Sequence, residues 1–225
     1  MLLALETAND WCSVSLYDGQ QVVAHRQDER SREQTRLILP MIDAVLEEQQ
    51  LTLATLKAIA FSRGPGSFSG VRINAAVTQA LAWANDLPVI AVSTLQAVAQ
   101  AAYRLHQCEQ VVVVLDARMG EVYSAAYQLD ANGLMQAVST ELLVAYAEFE
   151  LPIVDNFQPV LVGSGSTLVK SDSQLIRHTQ VQATSMDVAV LGDAALQAGQ
   201  TVTAHDALPV YLRENAWKKI AEQGS

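Results

Sequence analysis

The chain opens on two short apolar-rich runs, Leu2 to Glu6 and Cys12 to Tyr17, separated by the mainly polar turn Thr7-Ala8-Asn9-Asp10-Trp11. Asp18-Gly19 is a hairpin signal leading into Gln21 to Arg26, so the start reads as a three-stranded antiparallel meander. After the charged patch Gln27 to Gln34 the apolar period lengthens, predicting a helix from about Thr35 to Gln49 that Pro40 either kinks or begins. Leu56 to Phe61 reads as a buried strand, Val71 to Trp83 as a helix, and Leu87 to Val92 as a further strand. Ser93 or Thr94 then caps a helix reaching about Leu105. Then the pattern restarts: strand Val111 to Asp116, turn Ala117 to Gly120, strand Glu121 to Tyr127, and a third strand near Leu134 to Val138. Tyr146 to Gln158 is irregular. Val160 to Ser166 repeats the theme of a strand running into a glycine turn, Lys170 to Ser185 is polar and without pattern, and Asp187 to Ala198 is a helix stopped by Gly199. Ala207 to Arg213 is an extended apolar segment ahead of a charged tail.

Two features of this pattern need explanation. At about 100° per residue, Leu37, Ile38, Leu39, Met41, Ile42, Ala44, Val45 and Leu46 cover an arc of roughly 220° on the first helix. A helix lying on its own sheet needs a stripe of about half that width. In the second helix alanines 75, 76, 80, 82 and 84 keep the body slim, while Val71, Ile73, Val77, Leu81 and Trp83 spread around it. The surplus predicts a helix-on-helix interface with another subunit; the alternative is cover by other parts of the same chain.

The second feature is Ser62-Arg-Gly-Pro-Gly-Ser-Phe-Ser-Gly-Val-Arg-Ile73, between a strand and a helix. Glycine permits a sharp corner, Ser67 and Ser69 are candidate caps, and the helix start could face an anion. The glycine spacing matches neither the dinucleotide fingerprint nor the P-loop. A capped turn and an anion or partner surface both remain open.

The composition narrows the function classes. The chain has 225 residues and half of them are apolar, enough for one large domain or two small ones. Fourteen Lys and Arg against twenty-four Asp and Glu give a net charge of −10, with no dense basic run, which argues against a chain that grips nucleic acid by itself. Two dispersed cysteines, Cys12 and Cys108, argue against a disulfide framework or zinc site and fit a reduced, cytoplasmic setting. Neither a signal peptide nor an apolar run near the roughly 20 residues that span a bilayer is expected. The four histidines are widely spaced, no metal site is expected, and there is no G-x-S-x-G elbow.

The two similar halves, each with an acid closing its first strand, resemble the actin-like (ribonuclease H-like, ASKHA) architecture. The expected fold is therefore α/β with two lobes, each a mixed sheet begun by an antiparallel meander and flanked by helices. Residues 1–107 would form the first lobe, rejoined by 205–225, and residues 108–204 the second. In that group two acids flank a magnesium nucleotide; here the candidates are Glu6 and Asp116. The first turn has no glycine and carries Trp11, so the resemblance implies a phosphate site that has been eroded.

Three stretches narrow the resemblance. Gly64-Pro-Gly-Ser-Phe-Ser-Gly-Val-Arg-Ile73 is similar to the GPGSFTG(V/L)RI signature of bacterial TsaB (YeaZ) proteins, Leu115 to Tyr123 to their DAR-x-GEVY segment, and Ala207 to Arg213 to their A-x-P-x-YLR ending. Leu37 to Ile42 also resembles their LLPMI helix. The departures are Ser69 for Thr, Glu6 for Asp, and Gln34 near the place where a histidine often precedes the first helix.

The resemblance implies a non-catalytic subunit that works with TsaD and TsaE to form N6-threonylcarbamoyladenosine at position 37 of tRNAs reading codons that start with A. TsaC supplies the threonylcarbamoyl-AMP, and the tRNA is contacted only indirectly. It further implies docking to TsaD, or homodimerisation, through the first two helices. The residues expected there are Leu37, Ile38, Met41, Ile42, Val45 and Leu46, with Val71, Ala75, Thr78 and Ala82. On that reading Val45→Glu or Leu46→Glu abolishes pairing and leaves the fold intact. No cofactor is expected on the isolated chain. A vestigial nucleotide site, or one holding ATP or ADP at the complex interface, would use Glu6, Thr7, Gly64, Gly66, Ser67, Arg72 and Asp116. The alternative is a stand-alone actin-fold ATPase or small-molecule kinase, with Gly163 to Gly165 also lining the nucleotide. A peptidase finds no nucleophile–base pair in the sequence.

Overall fold

The structure, a computed structural model, describes residues 1–30, 32–170 and 174–213. Strands β1 (Leu2–Glu6), β2 (Cys12–Tyr17) and β3 (Val22–Asp28) form the antiparallel meander. Its hairpin closes because Gly19 takes a φ of +101° and the Asp18 carboxylate accepts from the Gln20 and Gln21 N–H groups at 2.7 and 2.8 Å. After helix α1 (Gln34–Glu48), strands β4 (Ala58–Ser62) and β5 (Val89–Val92) add in parallel beside β1, joined by helix α2 (Phe68–Asn85), giving the order β3-β2-β1-β4-β5. Helix α3 (Thr94–His106) then leads into the second sheet.

The second sheet repeats the plan. Strands β6 (Gln110–Arg118) and β7 (Glu121–Leu129) pair antiparallel, and the third place is shared by β8 (Met135–Ala137) and β9 (Leu142–Ala145) along different halves of β7. Strands β10 (Val160–Val162) and β11 (Arg177–His178) add in parallel beside β6, and helix α4 (Ser185–Gln197) follows. Both sheets thus run meander first, then two parallel strands on the other flank of the opening strand. This is the two-lobed, actin-like α/β architecture expected from the internal repeat. Strands β9 and β11 were not expected, because four residues with little alternation and a two-residue Arg-His pair carry no periodic signal. Pro40 lies inside α1, which begins ahead of it at Gln34.

The helices do not respect the division at residue 108. Helix α3, in the first half, lies on β6, β7 and β8, whereas α4, in the second half, lies on β1, β2, β4 and β5. Gly192 lets α4 sit close, since a Cβ there would come within 2.6 Å of the Ala60 Cβ. The two helices fill the space between the sheets, in one core that joins Leu2, Ala4 and Ile90 to Val111, Val113 and Tyr127. Asp187, 1 % exposed, ties them: it accepts from Arg104 Nε and Nη2 at 2.8 and 2.9 Å and from the backbone N–H and hydroxyl of Thr184. Residues 108–204 are therefore not a self-contained packing unit. Of the stretch 205–225 expected to rejoin the first lobe, Ala207 is buried in that lobe's outer core, and 214–225 lie outside the described residues.

The outer face of the first sheet is covered by α1 and α2, that of the second by the irregular chain carrying Phe149, Leu151, Phe157 and Val169. This placement corrects the expected interface. Ile38, Ile42, Val45, Leu46, Val71, Ala75, Thr78 and Ala82 are all buried within the chain, at 7 % exposure or less, against β1, β2 and β4. Periodicity identifies an apolar arc but not which part of it the sheet takes, and the sheet takes the centre. Of the expected set only Leu37 and Met41 stay half-buried, joined at the rim by half-buried Ile73, Val77 and Leu81 and by exposed Leu39 and Trp83. Among the described residues no helix is long and apolar enough to cross a membrane.

Candidate functional site

A cleft of about 1190 Å³ runs between the lobes. Its walls come from the start of α2 (Gly66 to Ser69, Arg72), the β6–β7 turn (Asp116 to Arg118), Ser164 after β10, and Val210, Tyr211 and Arg213 of the C-terminal segment. The three motifs that are far apart in sequence therefore meet in one place.

The glycine loop is shaped by close backbone contact with the first turn. Ser67 N–H donates to Ala8 O at 2.7 Å, and the Thr7 hydroxyl donates to Gly70 O at 2.8 Å. A Cβ on Gly66 would overlap the Ala8 carbonyl oxygen, and one on Gly70 the Thr7 carbonyl oxygen. The glycines are needed because backbone meets backbone here. Ser67 caps α2, its hydroxyl accepting from Gly70 N–H at 3.4 Å; Ser69 is an exposed residue of the first helical turn. Asn74, fully buried on α2, donates to Leu5 O and Ser62 O and locks the helix to the ends of β1 and β4. Sequence reasoning passed over it; the available signal was a lone amide on the buried stripe Val71, Asn74, Ala75, Thr78. Gln34 donates to Asn9 O and Asp10 O at 3.2 Å and fixes the start of α1 to the same turn.

The residues grouped for a nucleotide are separated by this packing. Gly66, Ser67, Arg72 and Asp116 line the cleft, whereas Glu6, Thr7 and Gly64 are buried and do not. Glu6 accepts from Ala8 N–H at 2.6 Å and its second oxygen has no partner, so burial pushes its carboxyl up from 4.5 to about 7. Asp116 accepts from Arg118 N–H at 2.8 Å and from the Tyr146 hydroxyl at 2.7 Å, and its other oxygen pairs with the Arg118 guanidinium at 3.0 Å. The Gly163–Gly165 turn also backs onto β6, a Cβ on Gly165 falling within 3.0 Å of Leu115 C, Val122 Cγ1 and Asp116 N. One acid is buried outside the cleft lining and the other is engaged by Arg118 and Tyr146. These residues do not fit a magnesium nucleotide, and among the described residues no cluster of three His, Cys, Asp or Glu could hold a metal.

The Glu6 carboxyl makes stability pH-dependent. Its folded value lies above its unfolded value, so the associated stability is fully present below 4.5 and is lost as pH rises through about 7. At about 1.36 kcal/mol per pH unit the loss is about 3 kcal/mol. In urea titrations at pH 4.5 and 8.5, Glu6→Gln is expected to gain about that much on wild type between the two pH values. A difference between the two proteins that does not change with pH refutes the assignment.

The C-terminal segment closes the cleft. Val210 N–H donates to Arg63 O at 2.7 Å, and Tyr211 OH accepts from Arg72 Nε at 2.9 Å, with the Arg72 guanidinium 3.4 Å above the Phe68 ring. Arg213 Nη2 donates to Ala117 O at 3.1 Å, Arg118 O at 3.4 Å and the Glu121 carboxylate. These acceptors belong to a turn with φ of +63° at Arg118 and +57° at Met119. Two consecutive non-glycine residues in that region cost about 1–2 kcal/mol each, and Asp116 and Arg213 hold the turn from its two ends.

Among known proteins, the family model described as TsaD, tRNA N6-adenosine threonylcarbamoyltransferase, matches residues 22–221. The chain is 39 % identical over 226 residues to the tRNA threonylcarbamoyladenosine biosynthesis protein TsaB of Escherichia coli, covering 97 % of each chain. It is 37 % identical over 237 residues to the protein of the same name from Haemophilus influenzae, covering 97 % of this chain and 96 % of that one. Among solved structures, YeaZ from Pseudomonas aeruginosa superposes with a TM-score of 0.86 at 34 % identity, over 94 % of this chain and 99 % of that one. A second, described as an uncharacterized protein with similarity to peptidase YEAZ from the same organism, gives 0.87 at 35 %, over the same shares of the two chains. With its three motifs gathered at one cleft and its likeness running nearly end to end, the chain belongs to the TsaB (YeaZ) family.

Proposed function

We propose that this chain is a non-catalytic scaffold subunit in the formation of N6-threonylcarbamoyladenosine on tRNA, docking on the transferase TsaD, with TsaE joining the assembly. The observation that carries the reading is the apolar surface that α1 and α2 leave uncovered: Leu39 is 49 % and Trp83 82 % exposed, and Leu37, Met41, Val77 and Leu81 of the same two helices are half-buried. Aromatic and aliphatic side chains left uncovered on two neighbouring helices are the composition of an interface. The rim replaces the buried set as the docking surface, and a second copy of the chain would compete for it. The non-catalytic part of the reading is supported by the engagement of Glu6 and Asp116 in packing, and the indirect contact with tRNA by the net charge of −10.

Depleting the protein and measuring the modified nucleoside by mass spectrometry is expected to show its loss; unchanged levels refute the function. On the docking surface, Trp83→Glu and Leu39→Glu are expected to remain folded and to weaken TsaD binding by about 2 kcal/mol or more, roughly thirtyfold in Kd. Calorimetry of the purified pair reads this directly, and wild-type affinity in both variants removes the surface from the proposal. The same instrument tests the alternative ATPase: micromolar binding of ATP with magnesium to the isolated chain, together with turnover, would restore it.

A further inference from the structure

We infer that residues 207–213 form an intrachain latch across the cleft which, added to the core shared through α3 and α4, restricts the angle between the two lobes, so that a covalently attached segment, rather than a dissociable ligand, limits the aperture of the cleft. The inference concerns the isolated chain and stands or falls independently of the proposed partner.

The segment is anchored first on one lobe and then on the other. At its root, Val202 exchanges backbone hydrogen bonds with Val89 of β5 at 2.8 and 3.0 Å, and Ala207 is fully buried among the apolar side chains behind α1 and α2. It then runs against the glycine loop: Val210 N–H bonds to Arg63 O, and the Val210 carbonyl oxygen lies 2.9 Å from where a Cβ on Gly64 would be. Tyr211 reaches Arg72, still on the first lobe. Two residues later Arg213 has crossed to the second lobe, where its guanidinium is shared among Ala117 O, Arg118 O, the Glu121 carboxylate and, at 3.2 Å from Nη1, the Met119 sulfur.

The acceptors explain why an arginine closes the latch. The Ala117 and Arg118 carbonyls and the Glu121 carboxylate gather round Nη2 of one planar guanidinium while Nη1 points to the Met119 sulfur, a spread of contacts that an ammonium, a single point donor, does not reproduce. Because the arginine is tethered, its local concentration at the turn is far above that of any free ligand. Other bonds also join the two halves among the described residues, including Arg104 to Asp187 between α3 and α4, Arg63 and Ser93 to Glu141, Gln100 to Gly133 O, and Asn9 to Ala183 O; neither Glu141 nor Asp187 lines the cleft. Tyr211 and Arg213 both do, so the latch spans the opening itself.

The test is a distance distribution between the lobes. Spin labels on Asp43→Cys in α1 and Gln128→Cys in β7, both exposed positions, report the separation, and the native Cys12 and Cys108 are buried from the label. The otherwise unaltered protein is expected to give one narrow distribution. Arg213→Ala is expected to at least double its width, with amide exchange faster by tenfold or more at 64, 66, 67 and 117–121 and unchanged in β1 and β4. Gly64→Ala, which pushes on Val210 from the other end, is expected to broaden the same distribution. An unaltered width in Arg213→Ala overturns the latch, as does faster exchange spread evenly over the whole chain. If Arg213→Ala does not fold, Arg213→Lys carries the test: it keeps the charge without the planar fork, and an unaltered width there overturns the latch equally.

Discussion

Val45→Glu is expected to unfold the chain rather than to yield a folded protein that no longer pairs. Val45 is fully buried between α1 and the first sheet, with Leu3, Val14 and Ile59 in the same core. Losing its burial costs about 2 kcal/mol. The carboxyl that replaces it finds no donor in that wall of aliphatic side chains, and even after taking up a proton it adds several kcal/mol more. The sum approaches the whole stability of an ordinary domain, about 5–15 kcal/mol. Soluble yield and a thermal melt followed by circular dichroism check this, with Leu39→Glu, on the exposed side of the same helix, as the folded control. A Val45→Glu protein that melts with wild type would mean that α1 does not lie on the sheet as described.

Gly70→Ala is expected to be nearly as damaging, for a steric rather than a solvation reason. In a helix alanine is favoured over glycine by about 1 kcal/mol. Here the added methyl would occupy the position of the Thr7 carbonyl oxygen, a backbone atom that cannot rotate away. The loop must lift, taking with it the Thr7 hydroxyl bond to Gly70 O and the Ser67 bond to Ala8 O. Forced repacking of this kind outweighs the helix gain and leaves a net loss of at least about 3 kcal/mol. Chemical denaturation of Gly70→Ala beside Ser69→Ala, an exposed neighbour on the same turn, measures it. Equal midpoints for the two would show that the loop does not rest on the first turn.

Both substitutions fall on residues that the sequence singled out, and in both the reason changed once the packing was known. The glycine loop stood out as a sharp corner with serine caps that could face an anion; the packing shows that its glycines let the loop rest on the Thr7–Ala8 turn. Glu6 and Asp116 stood out as acids at the ends of equivalent strands. The low dielectric around Glu6 and the hydrogen bond of Tyr146 to Asp116 follow from chain segments far from either residue, whereas the Arg118 bonds to Asp116 belong to its own turn. Tyr146 and Asn74 carried too little local signal to be found, since a tyrosine in an irregular stretch and one amide within a helix look ordinary until their partners are seen.

Apart from β9 and β11, the order and kind of the elements, the repetition of the two halves and the family were legible in the sequence alone. The alternation of apolar and polar positions, the turn residues and the motif spacings are properties of short stretches that need no neighbours to be expressed. Which part of an apolar arc meets the sheet, which lobe each of α3 and α4 covers, and the meeting of Tyr211 and Arg213 with motifs 139 and 96 residues earlier were decided by the tertiary structure. Those depend on contacts between segments that the chain brings together only when it folds. A helix carries its period in its own residues, whereas what covers it is a property of the rest of the molecule.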